Sequence, residues 1–227
     1  QYAPWIPTAV AAGRRLLADE PFDAVFSSHP RASAHVVAAC LTGRGGPPWL
    51  ADYRDRRFAN EVRPYPSGAH AAAMRRLETC VLRRAAAVSA INQPILDDLV
   101  AHSPWLAGRG HVLPNGYDEG ETATPVELGP GFWIVYTGRL YRRERALEAF
   151  LAALGRLPDD VKALFVGDAP RVTALAERLG VAHRVRVEPL VPHDVALGYQ
   201  RAADVLLLVT HERPESMSSK VFEYLRS

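Results

Sequence analysis

The chain has 227 residues, of which 48% are hydrophobic and 23% are charged, and its formal net charge at pH 7 is +2. This composition is typical of a globular protein, and so small a net charge gives no electrostatic reason to expect nucleic acid as a partner. The two cysteines, Cys40 and Cys80, are too few for a disulfide framework, and no apolar run approaches the roughly 20 residues that span a membrane.

Strand and helix patterns alternate through the first half of the chain. Short apolar runs predict strands at residues 23–28, 47–51, 86–91 and 111–113. Apolar residues at helical spacing predict helices at residues 5–18, 33–41, 74–85 and 94–101. Alternation of this kind is typical of βα units on a parallel sheet.

A second alternation follows the polar residues 118–131, which we interpret as a linker between a domain at residues 1–117 and another at residues 132–227. Strands are predicted at residues 133–136, 161–167, 185–187 and 205–209. Helices are predicted at residues 145–157, at residues 172–179 and from residues 191–194 onward. We therefore expect an α/β fold. Because the chain begins with Gln and stops within a helical pattern, we expect a fragment whose first domain is incomplete and whose second domain is truncated.

Two glutamates, Glu215 and Glu223, flank seven residues near the end of the chain. They follow an apolar run, and the second lies in a helical pattern, so the segment predicts a strand, a loop and a helix. In open α/β sheets, loops at the carboxyl ends of strands bind ligands. Ser218 or Ser219 is expected to cap the helix, whose first N–H groups then bind phosphate. Glu223 is placed to accept hydrogen bonds from a ribose, and Glu215 to reach a sugar. Taken alone, such a pair is more often a solvated helix face.

Basic residues accompany this motif. Gly138 and Arg139 end the first strand of the second half, where a missing side chain lets a ligand approach the backbone and Arg139 pairs with a diphosphate. Three more arginines follow shortly after, and each either meets a phosphate or coats the start of a helix: Arg142, Arg143 and Arg145. Lys220 shares a helix face with Glu223, so it pairs with that carboxylate or reaches a phosphate.

Polar residues also end two strands of the first half. Asp52, Arg54 and Asp55 follow one strand, and His29 follows another. The two aspartates allow a metal site, but neutralisation by neighbouring arginines is the favoured interpretation. His29 either lines a ligand cleft or is structural.

Four stretches of the sequence together resemble one family. They are residues 49–55 (WLADYRD), 113–118 (LPNGYD), 136–140 (YTGRL) and 215–225 (ESMSSKVFEYL). In this order they resemble motifs of the retaining GT-B-fold glycosyltransferases called group 1. The resemblance implies two Rossmann-like domains that face each other across a cleft. It also implies transfer of a sugar, with retention of anomeric configuration, from a nucleotide-sugar donor to an acceptor hydroxyl, without a cofactor or a bound metal.

The same resemblance implies roles for individual residues. Catalytic roles fall to Asp52, Arg139 and Glu215. Contacts with the donor nucleotide fall to Gly138, Arg139, Arg143, Leu190, Val191, Ser218, Ser219, Lys220 and Glu223. Contacts on the acceptor side fall to His29, Arg54 and Asp55.

Two other functions stay open: a nucleotide-sugar epimerase of the same fold, and a non-catalytic subunit that binds a nucleotide-sugar. The epimerase predicts turnover of donor alone, and the subunit predicts binding without turnover. A transferase would take a small-molecule, glycan or lipid-linked acceptor, and we expect no nucleic acid. The low cysteine content predicts a reducing, cytoplasmic compartment. Arginines at residues 54–57 and 75–84 fit peripheral contact with the inner face of the membrane, although a solvated surface explains them more simply.

Overall fold

The structure is a computed structural model that describes residues 3–29, 32–42, 45–55, 66–140, 144–167, 169, 171–209 and 218–227. The described chain divides into two compact units, one ending at Asn115 and the other beginning at Gly116. Each unit is an α/β structure built on a parallel sheet, as the alternating sequence patterns predict. No described helix is both long enough and apolar enough to cross a membrane.

The first unit contains a four-stranded parallel sheet whose strands are in sequence order. The strands are β1 (Val25–Ser28), β2 (Trp49–Tyr53), β3 (Ala87–Ala90) and β4 (Gly110–Val112). The helices are α1 (Ile6–Asp19), α2 (Ala32–Leu41), α3 (Gly68–Leu82) and α4 (Gln93–His102). Small residues on the sheet, such as Ala51 and Ala90, let the helices pack closely, and Leu82, Leu99 and Leu106 fill the core between them.

Helix α3 begins well before the predicted start at residue 74. Ser67 caps it, because the Ser67 hydroxyl accepts the backbone N–H of His70 at 3.2 Å. An N-cap of this kind satisfies one of the orphan N–H groups of the first turn. The alanines that follow favour helix without adding apolar periodicity, which is why the pattern missed this turn.

The second unit contains a four-stranded parallel sheet in the order β7-β6-β5-β8. The strands are β5 (Phe132–Thr137), β6 (Val161–Val166), β7 (Val185–Glu188) and β8 (Val205–Leu206). The helices are α5 (Glu144–Leu154), α6 (Val172–Arg178), α7 (His193–Arg201) and α8 (Lys220–Arg226). The chain builds outward from β5 to β7 and then returns to the other side of β5. The strand order therefore reverses between β5 and β8, and ligands bind at such switch points of open α/β sheets.

Both faces of the second sheet are covered. Along β6, Ala163 and Phe165 belong to a core that includes residues of α5 and α6, whereas Leu164 and Val166 pack in a second core with Tyr199 of α7. Successive strand residues point to opposite faces, so a strand buried on both sides is a continuous apolar run. This explains why β6 was predictable from composition alone.

Two predicted elements are shorter in the structure. Helix α5 ends at Leu154 instead of residue 157, because Gly155 and a turn follow. The predicted strand at residues 205–209 pairs only over Val205–Leu206, and one further bond joins the N–H of Leu207 to the carbonyl of Val135 at 2.8 Å.

Residues 118–131, which the sequence suggests as a linker, are all described and form neither helix nor strand. They run along the second unit. Val126 and Leu128 pack against its core, and the N–H of Val126 donates to the carbonyl of Gly198 at 3.2 Å. The Glu121 carboxylate accepts from Arg226 at 3.2 Å, so the segment also contacts the last helix.

Candidate functional site

Two glycines form the carboxyl edge of the second sheet. Gly138 follows β5 with φ of 113°, and Gly167 follows β6 with φ of 127°, a region that L side chains rarely adopt. A Cβ atom on Gly167 would collide with the carbonyl of Gly138, and one on Gly138 would lie 2.5 Å from the Lys220 Nζ atom. This edge therefore presents bare backbone beside an ammonium group.

Lys220 is the first residue of α8 and is half-buried. Its Nζ atom lies 5.7 Å from the centre of the Tyr136 ring, within cation–π range. Burial lowers the pKa of Lys220, and the charge of Glu223 partly opposes that shift. The ammonium has thus lost part of its hydration, so an anion beside Gly138 would be strongly attracted to it.

Glu223 lies one turn further along α8, on the same face as Lys220. The Gln200 Nε2 atom is 2.8 Å from Thr137 Oγ1 and 3.4 Å from Glu223 Oε2, which ties the carboxylate to the end of β5. The Tyr224 hydroxyl accepts the backbone N–H of Thr137 at 3.2 Å. Burial raises the pKa of Tyr224, and its hydrogen bonds with Thr137 lower it in part, so the hydroxyl stays neutral near pH 7. Helix α8 is therefore held at the strand end by two separate contacts.

The start of α8 differs from the expected anion site. Ser219 holds the N-cap position without a side-chain cap, and the Ser218 hydroxyl accepts the N–H of Lys220 at 3.4 Å. The N–H groups of Val221 and Phe222 donate to the carbonyls of Ser218 and Ser219 at 3.2 and 3.1 Å. These first-turn N–H groups already have acceptors, whereas the Lys220 ammonium lies directly beside Gly138.

The other residues predicted for the donor have mixed placements. Arg139 is exposed directly after Gly138, and Arg145 is exposed near the start of α5. Leu190, which follows β7, is 64% exposed, whereas Val191 packs against the core that contains Trp133. Arg142, Arg143 and Glu215 lie outside the described residues.

In the first unit, Asp52 is completely buried at the end of β2. Its Oδ2 atom accepts from the Ser28 hydroxyl at 2.8 Å and from Arg54 Nε at 2.7 Å, and its Oδ1 atom accepts from the Ser89 hydroxyl at 2.7 Å. Asp52 is thus paired with Arg54, one of the arginines that the favoured interpretation assigned to this motif, while Arg56 and Arg57 lie outside the described residues. Asp55 is exposed. Within the described ranges, no three His, Cys, Asp or Glu side chains are grouped so that they would hold a metal ion.

Arg54 also joins two of the sequence motifs in space. Its Nη1 atom donates to the carbonyl of Leu113 at 3.3 Å and to the Asn115 side chain at 3.0 Å. His29, predicted for the acceptor side, is buried and stacks on Tyr53 with ring centres 5.5 Å apart. Its backbone N–H donates to the carbonyl of Asp52 at 2.8 Å, so His29 and Asp52 lie on neighbouring strand ends.

Sequence reasoning missed three residues of the second unit's site. Gly167 follows a predicted strand directly, as Gly138 does, so the same sequence pattern could have identified it. Gln200 and Tyr224 carry no such signal, because a polar residue within a helix looks the same whether it is exposed or aimed at a buried partner.

Two family models of glycosyl transferase domains match the sequence. The family model described as Glycosyl transferase 4-like domain matches residues 1–116, and the one described as Glycosyl transferases group 1 matches residues 131–227. No curated protein matches the sequence.

Solved structures resemble the fold at low sequence identity. HepE of Anabaena, in complex with UDP and glucose, has a TM-score of 0.71 and 19% identity over 98% of this chain and 60% of HepE. Sucrose-phosphate synthase from Thermosynechococcus elongatus has a TM-score of 0.62 and 19% identity over 88% of this chain and 53% of the synthase. A putative UDP-N-acetylglucosamine 2-epimerase from Listeria monocytogenes has a TM-score of 0.56 and 14% identity over 91% of this chain and 57% of the epimerase. The chain thus spans about 60% of the length of HepE. These similarities confirm the predicted α/β fold in two Rossmann-like domains.

Proposed function

This chain belongs to the group 1 glycosyltransferases, with a glycosyl transferase 4-like first domain, and we propose that it transfers a sugar from a nucleotide-sugar donor to an acceptor hydroxyl. One observation carries the proposal. At the switch point of the second sheet, the backbone of Gly138, the ammonium of Lys220 and the carboxylate of Glu223 come together. Bare backbone beside a cation suits a diphosphate, and a carboxylate one helical turn away suits the ribose diol. The presence of UDP in the HepE structure supports this class of donor.

Lys220 stabilises the departing nucleoside diphosphate. As the bond from the sugar to the diphosphate breaks, negative charge grows on the leaving oxygen. The Lys220 ammonium is already half-buried beside Gly138, so it needs little reorganisation to meet that charge. Arg139, exposed next to Gly138, supplies a second cation that pairs with two phosphate oxygens. Binding of the anion offsets the hydration that Lys220 lost on folding.

Several finer features belong to the proposal. Glu215 contacts the transferred sugar, and transfer retains the anomeric configuration, as the resemblance of residues 215–225 implies. Transfer needs no bound metal. The three hydrogen bonds that Asp52 accepts, from Ser28, Ser89 and Arg54, support this part of the proposal. Asp52 then acts by orienting Arg54, which with His29 and Asp55 contacts the acceptor. The acceptor class and the cytoplasmic, membrane-adjacent location stay predictions.

Calorimetric titration with uridine, guanosine and adenosine diphosphates tests the donor site. We expect one of them to bind the whole chain and Glu223→Gln to weaken that binding roughly ten-fold or more, since a hydrogen bond to a charged group contributes about 1.5–3 kcal/mol. Glu177→Gln, on the exposed face of α6, is the matched control and should leave the affinity unchanged. Failure of all three diphosphates to bind, or equal binding by Glu223→Gln, would contradict the proposal.

A nucleotide-sugar epimerase is the second candidate, since the fold also resembles the putative Listeria epimerase. The two functions differ in what happens to the donor alone. An epimerase converts the bound sugar without an acceptor, whereas a transferase releases free diphosphate only when an acceptor hydroxyl, or water at a slow rate, is present. Incubation with UDP-sugar and no acceptor, followed by separation of sugar isomers, distinguishes them.

A further inference from the structure

We infer that Gln200 is a positioning residue that orients the Glu223 carboxylate toward the ribose of the donor. The inference rests on the proposed function for its ligand. Gln200 lies on α7 and is only 2% exposed. Its side-chain nitrogen reaches two acceptors at once, Thr137 Oγ1 at 2.8 Å and Glu223 Oε2 at 3.4 Å.

The orientation of the Gln200 amide is determined by its neighbours. A carboxylate only accepts hydrogen bonds, so the NH₂ group rather than the amide oxygen faces Glu223. The two N–H groups go to Thr137 and Glu223, and the oxygen accepts the Ser227 hydroxyl at 3.1 Å. With its polar atoms satisfied, the buried amide avoids the cost of an unpaired polar group and has a single favourable rotation.

Gln200 links the Glu223 carboxylate to the end of strand β5. Thr137 is the last residue of β5 and is buried, so it anchors Gln200 at the strand end. Gln200 in turn holds Glu223 Oε2, which also determines the direction of Oε1. A carboxylate that is oriented before the ligand arrives loses less rotational freedom on binding, so the ribose contact gains affinity.

Gln200→Leu tests the positioning role because it removes the amide at nearly the same volume. The probes are the ribonucleoside diphosphate that binds most tightly among those of uridine, guanosine and adenosine, and its 2′,3′-dideoxy form. We expect Gln200→Leu to lower the affinity for the ribonucleotide roughly three- to ten-fold, which is the usual size of coupling between residues in contact. The affinity for the dideoxy form should stay unchanged. A purely structural role would lower both affinities by the same factor, and that result would overturn the inference.

Arg201→Leu is the matched control. Arg201 is the next residue on α7 and anchors that helix by donating to the carbonyl of Ala123 at 2.6 Å, on a different element from Glu223. It should leave the ratio of the two affinities unchanged. If Gln200→Leu does not fold, Thr137→Val removes the acceptor that anchors Gln200, and it should reduce the same ratio in the same direction. No change in the ratio would count against the inference.

A ligand-free measurement separates this inference from the proposed function. If no diphosphate binds the wild-type chain, the proposed function fails, and the contact between Gln200 and Glu223 is judged by urea unfolding of Gln200→Leu, Glu223→Leu and the double variant. A positioning contact predicts that the effects of the two single substitutions are not additive, because either one removes the same hydrogen bond. Additive effects would overturn the inference, whatever the ligand results.

Discussion

Replacement of Lys220 by methionine is expected to separate stability from ligand binding. The Nζ atom is half-buried over Gly138 and the Tyr136 ring. Burial is the largest cause of the lowered pKa of Lys220 and outweighs the attraction of Glu223, so folding disfavours the charged form. Methionine keeps the length of the side chain and its contact with the tyrosine ring while removing the charge. The free energy of unfolding should therefore stay the same or rise.

Diphosphate binding should change in the opposite direction. A charge-assisted contact with a phosphate oxygen contributes about 1.5–3 kcal/mol, or roughly ten- to a hundred-fold in the dissociation constant. The loss should appear for the nucleoside diphosphate and not for the nucleoside, because the proposed binding mode places only the phosphates beside Gly138. Calorimetry with both ligands measures the binding difference, and urea unfolding measures stability.

Lys162, the only other lysine in the sequence, provides the matched control. Its Nζ atom also lies over an aromatic ring, 5.4 Å from the centre of Trp133, and donates to the carbonyl of Pro130 at 2.8 Å. It stands near the start of β6, at the opposite edge of the sheet from Gly138. Lys162→Met should lose some stability and keep the diphosphate affinity. The reasoning is refuted if Lys220→Met weakens nucleoside and diphosphate equally, or if it destabilises the protein as much as Lys162→Met does.

Three further predictions follow from the second unit. Diphosphate affinity should fall as the pH rises from neutral toward 10.5, because the pKa of Lys220 in the folded protein lies below that value and the neutral amine no longer attracts the anion. Calorimetry across this pH range should find the fall in the wild type and not in Lys220→Met. Gly167→Ala should lower the free energy of unfolding by about 1–3 kcal/mol in urea, since it forces a side chain into a positive φ and against the Gly138 carbonyl. Arg184→Lys should lower the free energy of unfolding by about 1.5–3 kcal/mol in the same assay and leave diphosphate affinity unchanged. The Arg184 guanidinium is only 4% exposed and donates to three backbone carbonyls between residues 157 and 161, which a lysine ammonium cannot reach together.

The order of strands and helices was predictable because parallel strands are buried on both faces. In β6, successive residues face opposite helical layers and those at the buried end are all apolar, so no pairing information is needed to recognise the strand. Element ends were less predictable. The first turn of α3 depends on a cap from the Ser67 side chain, and β8 pairs with β5 over only two residues, Val205 and Leu206. Both depend on particular hydrogen bonds to the backbone rather than on apolar periodicity.

The candidate site divides in the same way. Gly138 was predictable because a glycine directly after a strand lets a ligand approach the backbone. Glu223 was predictable because it belongs to the segment at residues 215–225 that resembles a family motif. Gln200 was not, because its role depends on how α7 packs against the end of β5. The phosphate site at Ser218 and Ser219 stays a prediction, and two N–H groups of that first turn already have acceptors. A sequence shows which N–H groups begin a helix but not that neighbouring carbonyls already accept them.

The sheet order of the second unit explains why the site needs residues from both ends of that unit. Had β8 extended the sheet beyond β7, the start of α8 would lie beside Glu188, far from the glycine that follows β5. Because the chain returns to pair β8 with β5, Lys220 and Glu223 meet Gly138 and Thr137 at one edge. A Cβ atom on Gly138 would meet only the end of the Lys220 side chain, which can move aside, so it is the positive φ of 113° that favours glycine there. We therefore propose that a phosphate-sized anion binds at this edge, since it would restore to Lys220 some of the interactions with water that burial removed.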